Sequence, residues 1–454
     1  MGKLTKKVSL LAISLVVLVS GLAAQDPPDF KTIAAAQAEG KRPVVIIPGI
    51  MGSELVNKYS GEKVWFTLRR SKDDDLRLPI ATSLERSRDN LVPGDIIRSL
   101  KVLFKKEDYY DDFIESLTKH GGYTEADWDN PPKSLKDKVF VFPYDWRRDN
   151  VETAGILVRK MAALKRKTGE RRIKFDIVAH SMGGLVAKYA AMYGSARLTR
   201  RKPNWAGAAH INKINLFGTP NHGAADSFQV LNEGYGAIKG VNLPFVRDIG
   251  PLEVFTMPAI FQLLPHSDIQ LFYDEDLKPL KLNLYDYRTW EKYGWSFYGD
   301  SKLFDKYTEG EVVRMEQHLE RVLLRAKKFQ KAVDSRFNGP VAIAAYGSSC
   351  NDTPVGYVLK RDGNPGPWKV ITRPEPFFNS QGERVDISDV REVMMKPGDG
   401  RVAKVSLTAG LPENTEQYFV CTGHDSLLSN RVFQRRLLGN LVLQPVAAKR
   451  KTLP

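Results

Sequence analysis

Ser181 stands in a sequence context that favours a nucleophilic serine. It lies in the run AHSMGG, after the β-branched and aromatic residues 175–178, which predict a buried strand, and before apolar residues at helical spacing. The sharp strand-to-helix turn called the nucleophile elbow needs this context, with small residues two positions before and after the serine. Ala179 and Gly183 meet that need. Such a serine also requires a base, an acid that orients the base, and hydrogen-bond donors for an oxyanion.

His424 is the candidate base. In folds with this elbow, the acid and then the base follow the serine along the chain. Among the histidines after Ser181, only His424 comes directly after the last predicted strand, 416–421. His222 also follows a strand, but it precedes the candidate acids and is interpreted as a loop residue near the site. The remaining ones are interpreted as surface or packing residues: His210, His266 and His318.

Two aspartates compete for the role of the acid. Asp352 comes shortly after the predicted strand 341–346. Asp399 lies between two glycines, which leave the backbone free to aim its carboxylate at the base. A plain surface turn is the alternative reading of this Asp-Gly pair. Spacing alone leaves both aspartates open.

The loop after the first core strand is expected to supply an oxyanion donor. The apolar run 43–47 predicts that strand, and Pro48-Gly49 closes it. Where an elbow is present, one N–H comes from this loop and the second from the residue after the nucleophile. The candidate donors are therefore the backbone N–H groups of Ile50 and Met182.

Alternating strands and helices predict an α/β fold, with a mostly parallel sheet and helices on both of its faces. The pattern indicates one domain over residues 25–454. Two connections are far longer than a crossover needs. We interpret them as a lid-like insertion at about 54–105 and a cap insertion at about 221–335, the second of which is rich in aromatic residues.

Residues 1–24 have the composition of a secretory signal peptide. Three lysines precede an apolar run that is short for a membrane span of about 20 residues, and small residues end it. The protein is therefore expected to be exported, to the periplasm or the medium in a bacterium and to a lumenal or extracellular space otherwise. An uncleaved membrane anchor is the alternative.

The chain is strongly basic. Its formal net charge is +15, and it would be +12 without the three lysines of the leader. The lysines and arginines are scattered and no nucleic-acid-binding motif is found, so nucleic acid is not expected as a partner. A membrane or lipid surface, in particular an anionic one, suits an exported basic protein better. A generally basic, soluble surface is the alternative.

Cys350 and Cys421 are the only cysteines. They lie at or just beyond the ends of the predicted strands 341–346 and 416–421, and consecutive strands in such a sheet are often neighbours. An oxidising compartment would permit a disulfide between them. In the alternative, Cys421 is a free thiol in the core and Cys350 stays in a loop.

Six motifs together resemble the lecithin:cholesterol acyltransferase family, with its lysosomal phospholipase and bacterial relatives. They are, in chain order, PVVIIPGIMGSEL from residue 43, PYDWR from 143, AHSMGG from 179, LFGTP from 216, GDGRV from 398 and GHDSLL from 423. The resemblance implies an α/β-hydrolase fold. Because GDGRV is similar to the family's G-D-G-T-V acid turn, it also favours Asp399 over Asp352. Residues 145–147 of PYDWR are expected to form a buried ion network under the site.

Three features depart from the family's pattern. Ala179 replaces the first glycine of the elbow, and Arg401 replaces the threonine of the acid turn. No cysteine precedes Cys350, so the pair that closes a lid loop in the family has no counterpart. Lid structure and lipid selectivity are therefore not carried over from the family.

The residues and the resemblance together imply an exported serine acyl hydrolase or O-acyltransferase that acts on lipid esters, with phospholipids foremost. Ser181, Asp399 and His424 would form the catalytic triad, and no metal or cofactor is implied. Trp65, Phe66 and the aromatic residues of the cap are expected to contact lipid. Two alternatives remain: a carboxylesterase or amidase with a non-phospholipid substrate, and a catalytically inactive lipid-binding protein of the same fold.

Overall fold

Strands and helices alternate along the chain. The computed structural model describes residues 26–36, 39–67, 75–102, 105–198, 202–236, 248–299, 306–334, 337–363 and 366–442, and the predicted signal peptide at 1–24 lies outside them. The strands are, in chain order, β1 (Val44–Ile47), β2 (Ser53–Asn57), β3 (Lys63–Trp65), β4 (Leu91–Ile96), β5 (Ser99–Val102), β6 (Lys105–Asp108), β7 (Thr124–Glu125), β8 (Lys138–Val141), β9 (Phe175–His180), β10 (Ile211–Phe217), β11 (Phe272–Tyr273), β12 (Pro279–Leu280), β13 (Ala342–Gly347), β14 (Asn351–Pro354), β15 (Tyr357–Arg361), β16 (Trp368–Ile371), β17 (Phe377–Phe378), β18 (Arg384–Val385), β19 (Met395–Gly398) and β20 (Glu416–Phe419). The α-helices are α1 (Phe30–Ala35), α2 (Asp111–Lys119), α3 (Asn150–Lys167), α4 (Met182–Tyr193), α5 (Asp226–Glu233), α6 (Pro251–Phe255), α7 (Pro258–Phe261), α8 (Tyr287–Tyr293), α9 (Glu309–Val333), α10 (Ile387–Met394), α11 (Lys404–Thr408) and α12 (Arg431–Val442).

A seven-stranded sheet forms the centre of the molecule. Its spatial order is β20-β13-β10-β9-β1-β8-β7, and every pairing in it is parallel. Parallel neighbours need crossover connections, and helices such as α3 and α4 supply them. The α/β fold with a parallel sheet is therefore confirmed.

The two faces of the sheet are buried against different groups of helices. Val45 and Ile47 of β1 belong to one apolar cluster, which includes residues of α3 and α4. Val44 and Ile46 belong to a second cluster, which includes residues of α2 and α12. Because alternate residues of a strand point to opposite faces, a strand buried on both sides needs the uninterrupted apolar run that β1 has.

The strand register brings three loops to one edge of the sheet. Ile47 of β1 lies opposite Ala179 of β9, and Phe217 of β10 lies opposite His180. The residues that follow these strands therefore emerge side by side at the carboxyl ends, where open parallel sheets bind their ligands.

The two predicted insertions contain secondary structure of their own. In and directly around 54–105, strands β2, β3 and β4 form an antiparallel sheet, and β5 and β6 form a hairpin. Helices α5 to α9 account for much of 221–335. The boundaries of a lid and a cap in these stretches stay predictions.

Many of the large aromatic residues of the cap are internal, so the expectation that they contact lipid is wrong for the buried ones. The buried ones include Phe255, Phe261, Trp290 and Trp295. Trp290 and Trp295 meet edge to face, with ring centroids 5.8 Å apart. A cap of this size has to fill a core of its own, and large aromatics do so. Phe245 lies outside the described residues.

Cys350 and Cys421 form a disulfide, with their Cα atoms 5.4 Å apart. As expected, β13 and β20 are adjacent and parallel, with Gly347 opposite Phe419. The bond therefore joins the two loops that leave these strands.

A short antiparallel ribbon of β14 and β19 follows the disulfide. It places Asn351 opposite Gly398, directly before Asp399. This pairing was not predicted from the sequence.

Among the helices of the described residues, none has both the length and the apolar composition that a membrane span requires.

Candidate active site

Ser181 lies in a strained turn between β9 and α4. Its backbone has φ 52° and ψ −125°, a conformation that side-chain-bearing residues rarely adopt and that is typical of strained functional turns. The Ser181 N–H donates to the carbonyl oxygen of Phe217 at 2.7 Å, which fixes the turn to the neighbouring strand. A Cβ atom on Gly183 would lie 2.5 Å from the carbonyl oxygen of Pro48, so only glycine fits there. The strand-turn-helix context of the elbow is thus present.

The structure brings His424 and Asp399 together. His424 Nδ1 lies 2.8 Å from Asp399 Oδ2, and both side chains are buried. The other carboxylate oxygen of Asp399 accepts hydrogen bonds from the backbone N–H groups of Arg401 at 3.0 Å and Val402 at 2.7 Å. Gly400 has φ +95°, which favours glycine in the acid turn. The hydrogen bonds within the acid turn therefore orient the Asp399 carboxylate toward His424.

The charges of this pair support each other. Burial alone would raise the pKa of Asp399, but the charge of His424 and the hydrogen bonds to the carboxylate outweigh it and hold that pKa below its usual value. Burial would lower the pKa of His424, but the Asp399 carboxylate outweighs it and raises that pKa. Asp399 is therefore ionised at neutral pH and stabilises a protonated His424.

Ser181 and His424 line the same cavity, which has a volume of about 220 Å³. Much of its wall is apolar. The apolar lining residues are Ile50, Met51, Trp65, Phe66, Ile97, Val230, Ile260, Leu263, Val402 and Leu428. A pocket with an apolar wall and a few convergent polar groups is the usual form of a small-molecule site.

The two candidate oxyanion donors come from the loop after β1 and from the start of α4. Ile50 lines the cavity, whereas Met182 is fully buried as the first residue of α4. Within the described part of the chain, no protein group accepts a hydrogen bond from either backbone N–H. Their role as oxyanion donors stays a prediction.

A buried pair that the sequence analysis missed supports this arrangement. The Tyr110 hydroxyl accepts a hydrogen bond from the Gly49 N–H at 2.9 Å and lies 3.0 Å from His180 Nδ1. Burial, together with the charge of His424, lowers the pKa of His180 to about 4, so this ring is neutral. The only signal in the sequence was the position of His180 directly before the nucleophile.

Charged groups form one side of the cavity. Arg401 reaches the Tyr235 hydroxyl at 3.0 Å and Asp226 Oδ2 at 3.5 Å, and its Nε lies 3.9 Å from Asp425 Oδ1. All four residues line the cavity. The sequence showed Arg401 only as a departure from the acid turn of the family. The structure places it between the acid turn and the residues Asp226 and Tyr235, where it lines the cavity.

The rival acid and the other histidines lie elsewhere. Asp352 is half exposed and pairs with Arg391 on the surface. His318 is buried against the Phe255 carbonyl oxygen, at 3.2 Å, as a packing residue. His222 and His266 contact each other, with ring centroids 4.7 Å apart. His266 is buried and packs against His222.

Trp65 is 4% exposed, so the expectation that it contacts a membrane directly is wrong. Its indole N–H donates to the Met51 carbonyl oxygen at 3.0 Å, and its ring meets Trp146 edge to face, with centroids 5.5 Å apart. Trp65 and Phe66 instead line the cavity.

The expected ion network under the site is confirmed. The Arg147 guanidinium is fully buried and bonds to Asp145 at 2.8 Å and to Asp89 at 2.6 Å. Trp146 Nε1–H donates to the Ser53 carbonyl oxygen at 3.1 Å. The motif therefore ties β8 to the insertion that precedes it.

Comparison with solved structures identifies the fold. A chain of the Tle4–Tli4 complex matches with 15% sequence identity and a TM-score of 0.51, over 88% of this chain and 98% of that chain. The mature lipase BlEst2 of Bacillus licheniformis matches with 11% identity and a TM-score of 0.32, over 89% of this chain and 91% of that chain. EstA of Clostridium botulinum matches with 12% identity and a TM-score of 0.33, over 92% of each. The first match supports a shared fold, and the other two score too low to add weight.

No curated protein sequence matches this chain. The family model for lecithin:cholesterol acyltransferase matches residues 134–409, which is more than half of the 454 residues. The matched stretch contains Ser181 and Asp399. The chain has the α/β-hydrolase fold and belongs to the lecithin:cholesterol acyltransferase family, a family of lipid ester hydrolases and acyltransferases.

Proposed function

We propose that this protein is an exported serine acyl hydrolase or O-acyltransferase that uses Ser181, His424 and Asp399 on phospholipid esters. The observation that carries the proposal is the 2.8 Å contact between His424 Nδ1 and the turn-held Asp399 carboxylate, because His424 lines the same cavity as Ser181. A base oriented by an acid beside a strained serine is the arrangement that acyl transfer requires.

The proposed mechanism runs through an acyl-enzyme. Asp399 engages Nδ1 of His424, which leaves Nε2 to take the proton as Ser181 Oγ attacks the acyl carbonyl carbon. The backbone N–H groups of Ile50 and Met182 stabilise the oxyanion that forms. The protonated His424 then gives its proton to the departing alcohol, and water or a lipid alcohol resolves the acyl-enzyme by the same steps in reverse.

The lining of the cavity supports a lipid substrate. Trp65, Phe66 and their apolar neighbours offer an acyl chain a surface free of charge, while Arg401 lies on the charged side. A guanidinium suits a phosphate, but Arg401 already bonds to Asp226 and Tyr235, so a phosphate would have to replace these partners. A phosphoglyceride would place its acyl chain against the first surface and its phosphate toward the second.

Export is supported by the composition of residues 1–24 and by the Cys350–Cys421 disulfide, since such bonds persist in oxidising compartments. The net positive charge favours an anionic lipid surface. Vesicle binding should therefore weaken as salt rises, because the charges are screened. Binding that ignores both salt and anionic lipid would contradict this part of the proposal.

The decisive experiment combines active-site labelling with product analysis. A fluorophosphonate probe should label the wild type and the Ser429→Ala control, but not Ser181→Ala. Mixed phospholipid vesicles, with and without an added alcohol, should yield fatty acid or acylated alcohol, as identified by mass spectrometry. An unlabelled wild type would indicate an inactive lipid-binding protein. Labelling with turnover of soluble esters or amides alone would indicate the carboxylesterase or amidase.

A further inference from the structure

Three side chains of metal-ligating types meet at the loop that follows β10. They are His222 in that loop, His266 after α7, and Asp334, which ends α9. His222 Nε2 lies 3.0 Å from Asp334 Oδ1, and His266 Nδ1 lies 3.8 Å from Asp334 Oδ2. One ligand atom from each residue lies within 4.8 Å of the others. These three segments are far apart in the sequence, so only the fold brings the ligands together.

We propose that His222, His266 and Asp334 form a binding site for a divalent transition-metal ion of the zinc type, which fastens the cap to the catalytic domain. The site is separate from the triad, and neither depends on the other for its chemistry.

The spacing of the ligand atoms suits such an ion. Zinc binds nitrogen and oxygen ligands at about 2.0–2.1 Å in a tetrahedron, which puts neighbouring ligand atoms about 3.3 Å apart. The two measured separations, 3.0 Å and 3.8 Å, lie on either side of that value. Small side-chain rotations would bring the atoms to it.

The donor set selects the class of metal. Two imidazoles with one carboxylate suit zinc and its neighbours in the first transition row, whereas magnesium and calcium prefer oxygen ligands alone. The site is also accessible, because the Asp334 side chain is 43% exposed and that of His222 is 27% exposed. A water molecule could therefore complete the tetrahedron.

The charges around the site partly cancel. Lys188 is buried nearby, and its ammonium group bonds to Asn221 Oδ1 at 2.9 Å. Burial lowers the pKa of Lys188 to about 8, so at neutral pH its ammonium group is still charged and opposes a cation. Asp334 is ionised, because the hydrogen bond with His222 and the nearby positive groups hold its pKa below the usual value despite burial. Asp268 adds a second carboxylate close to His266.

The position of the site gives the ion a structural role. The His222 N–H donates to Ser406 Oγ at 3.2 Å, and that hydroxyl donates to the Gly223 carbonyl oxygen at 2.6 Å. Pro220 and Ala224, on either side of His222, line the catalytic cavity. An ion held by His222 would therefore fix one wall of the cavity against α9 and the segment after α7.

Metal binding to purified protein tests the proposal. The full chain is prepared without a polyhistidine tag and stripped with a chelator, and Zn²⁺ is then titrated by calorimetry, with Mg²⁺ as the comparison. We expect one Zn²⁺ per chain, a higher melting temperature with Zn²⁺ than without it, and no comparable response to Mg²⁺. Co²⁺ in place of Zn²⁺ should give the visible absorption of a tetrahedral nitrogen–oxygen site.

Variants locate the ion. His266→Ala and Asp334→Asn should each weaken Zn²⁺ binding by at least about tenfold, whereas His210→Ala and Ser181→Ala should bind as the wild type does. Asp334→Asn is the more informative variant. Its amide has the volume of the carboxylate and can still hydrogen-bond to His222, so this variant should fold even if His266→Ala does not. Circular dichroism checks that each variant is folded.

Two results would overturn the proposal: no saturable Zn²⁺ binding by the wild type, or binding that survives in Asp334→Asn. Ser181→Ala should abolish catalysis but not Zn²⁺ binding. The test of the metal site is therefore independent of the test of the proposed catalysis.

Discussion

His180 Nε2 lies 3.1 Å from the backbone carbonyl oxygen of His424. A carbonyl only accepts, so Nε2 carries the proton, and Nδ1 accepts from the Tyr110 hydroxyl. Tyr110 in turn accepts from the Gly49 N–H. Three hydrogen bonds thus link the oxyanion loop, the residue before the nucleophile and the loop that carries the base.

Tyr110→Phe should therefore misplace both loops without unfolding the protein. It leaves two buried groups unpaired, the Gly49 N–H and His180 Nδ1, and each such loss costs about 1–3 kcal/mol. We expect kcat to fall about tenfold or more, with KM nearly unchanged, in steady-state assays. Tyr123→Phe is the control, because among the described residues the buried Tyr123 hydroxyl has no hydrogen-bond partner. Equal effects of the two substitutions would exclude the linking role.

The triad assignment predicts a sharp difference between two aspartates. Ser181→Ala, His424→Ala and Asp399→Asn should each lower kcat by about 10⁴-fold or more, because the members of a triad act as a unit. Asp352→Asn should be nearly neutral, since it only removes a surface pair with Arg391. Purified variants with wild-type circular dichroism are compared in one ester assay. A severe Asp352→Asn and a mild Asp399→Asn would reverse the assignment.

The pH dependence of kcat/KM should show an acid limb above the ordinary histidine pKa of about 6.5. His424 must be neutral to accept the Ser181 proton, and Asp399 raises its pKa. Activity is therefore lost as pH falls through that raised pKa. Arg401 acts in the opposite direction and lowers the His424 pKa. Arg401→Gln should thus move the acid limb to higher pH, while the surface variant Arg391→Gln should leave it in place at constant ionic strength.

Buried histidines, His180 and His318 among them, should make the fold sensitive to acid. Burial lowers the pKa of His180 and of His318 to about 4 in the folded protein. The unfolded chain binds protons below about pH 6.5, so stability is full above that value and is lost as pH falls toward 4. Each histidine should remove about 2 kcal/mol of the unfolding free energy between pH 7 and pH 5. Urea unfolding at both pH values measures this loss, and His318→Gln should reduce it.

Reduction of the Cys350–Cys421 bond should lower the melting temperature. The bond closes a loop with a sequence separation of 71, which corresponds to about 4 kcal/mol in the chain-entropy model. Thermal unfolding with and without a thiol reductant measures the effect. Cys350→Ser should reproduce the reduced wild type and should not respond to the reductant. Two titratable thiols in the denatured, unreduced protein would show that the bond does not form.

The sequence was most informative where local pattern decides structure. The apolar run before Pro48 and the charged helix α9 are continuous periodic segments, and they were predicted within a residue or so at each end. The elbow and the acid turn could be found because small residues mark the places where the backbone must turn or approach closely. Spacing alone did not choose between Asp352 and Asp399, since that choice depends on which one reaches His424.

Contacts between distant segments could not be predicted in the same way. Tyr110 meets His180, and His222 meets Asp334, only because the sheet order brings their elements together. The aromatics of the cap were assigned to lipid, but they are buried, because composition does not say whether an apolar group faces solvent or a core.

The ribbon of β14 and β19 encloses residues 355–394. It holds Asp399 in place whatever the length of that stretch. Pro354 lies opposite Met395, so residues 355–394 leave and return at a single place. Their two ends are held about 5 Å apart, whatever lies between them. Residues can therefore be inserted or deleted around β17 and β18, in the outer part of this segment. The distance between Asp399 and His424 would not change. Relatives should therefore differ in length mainly around β17 and β18, and they should keep the pair of Asp399 and His424.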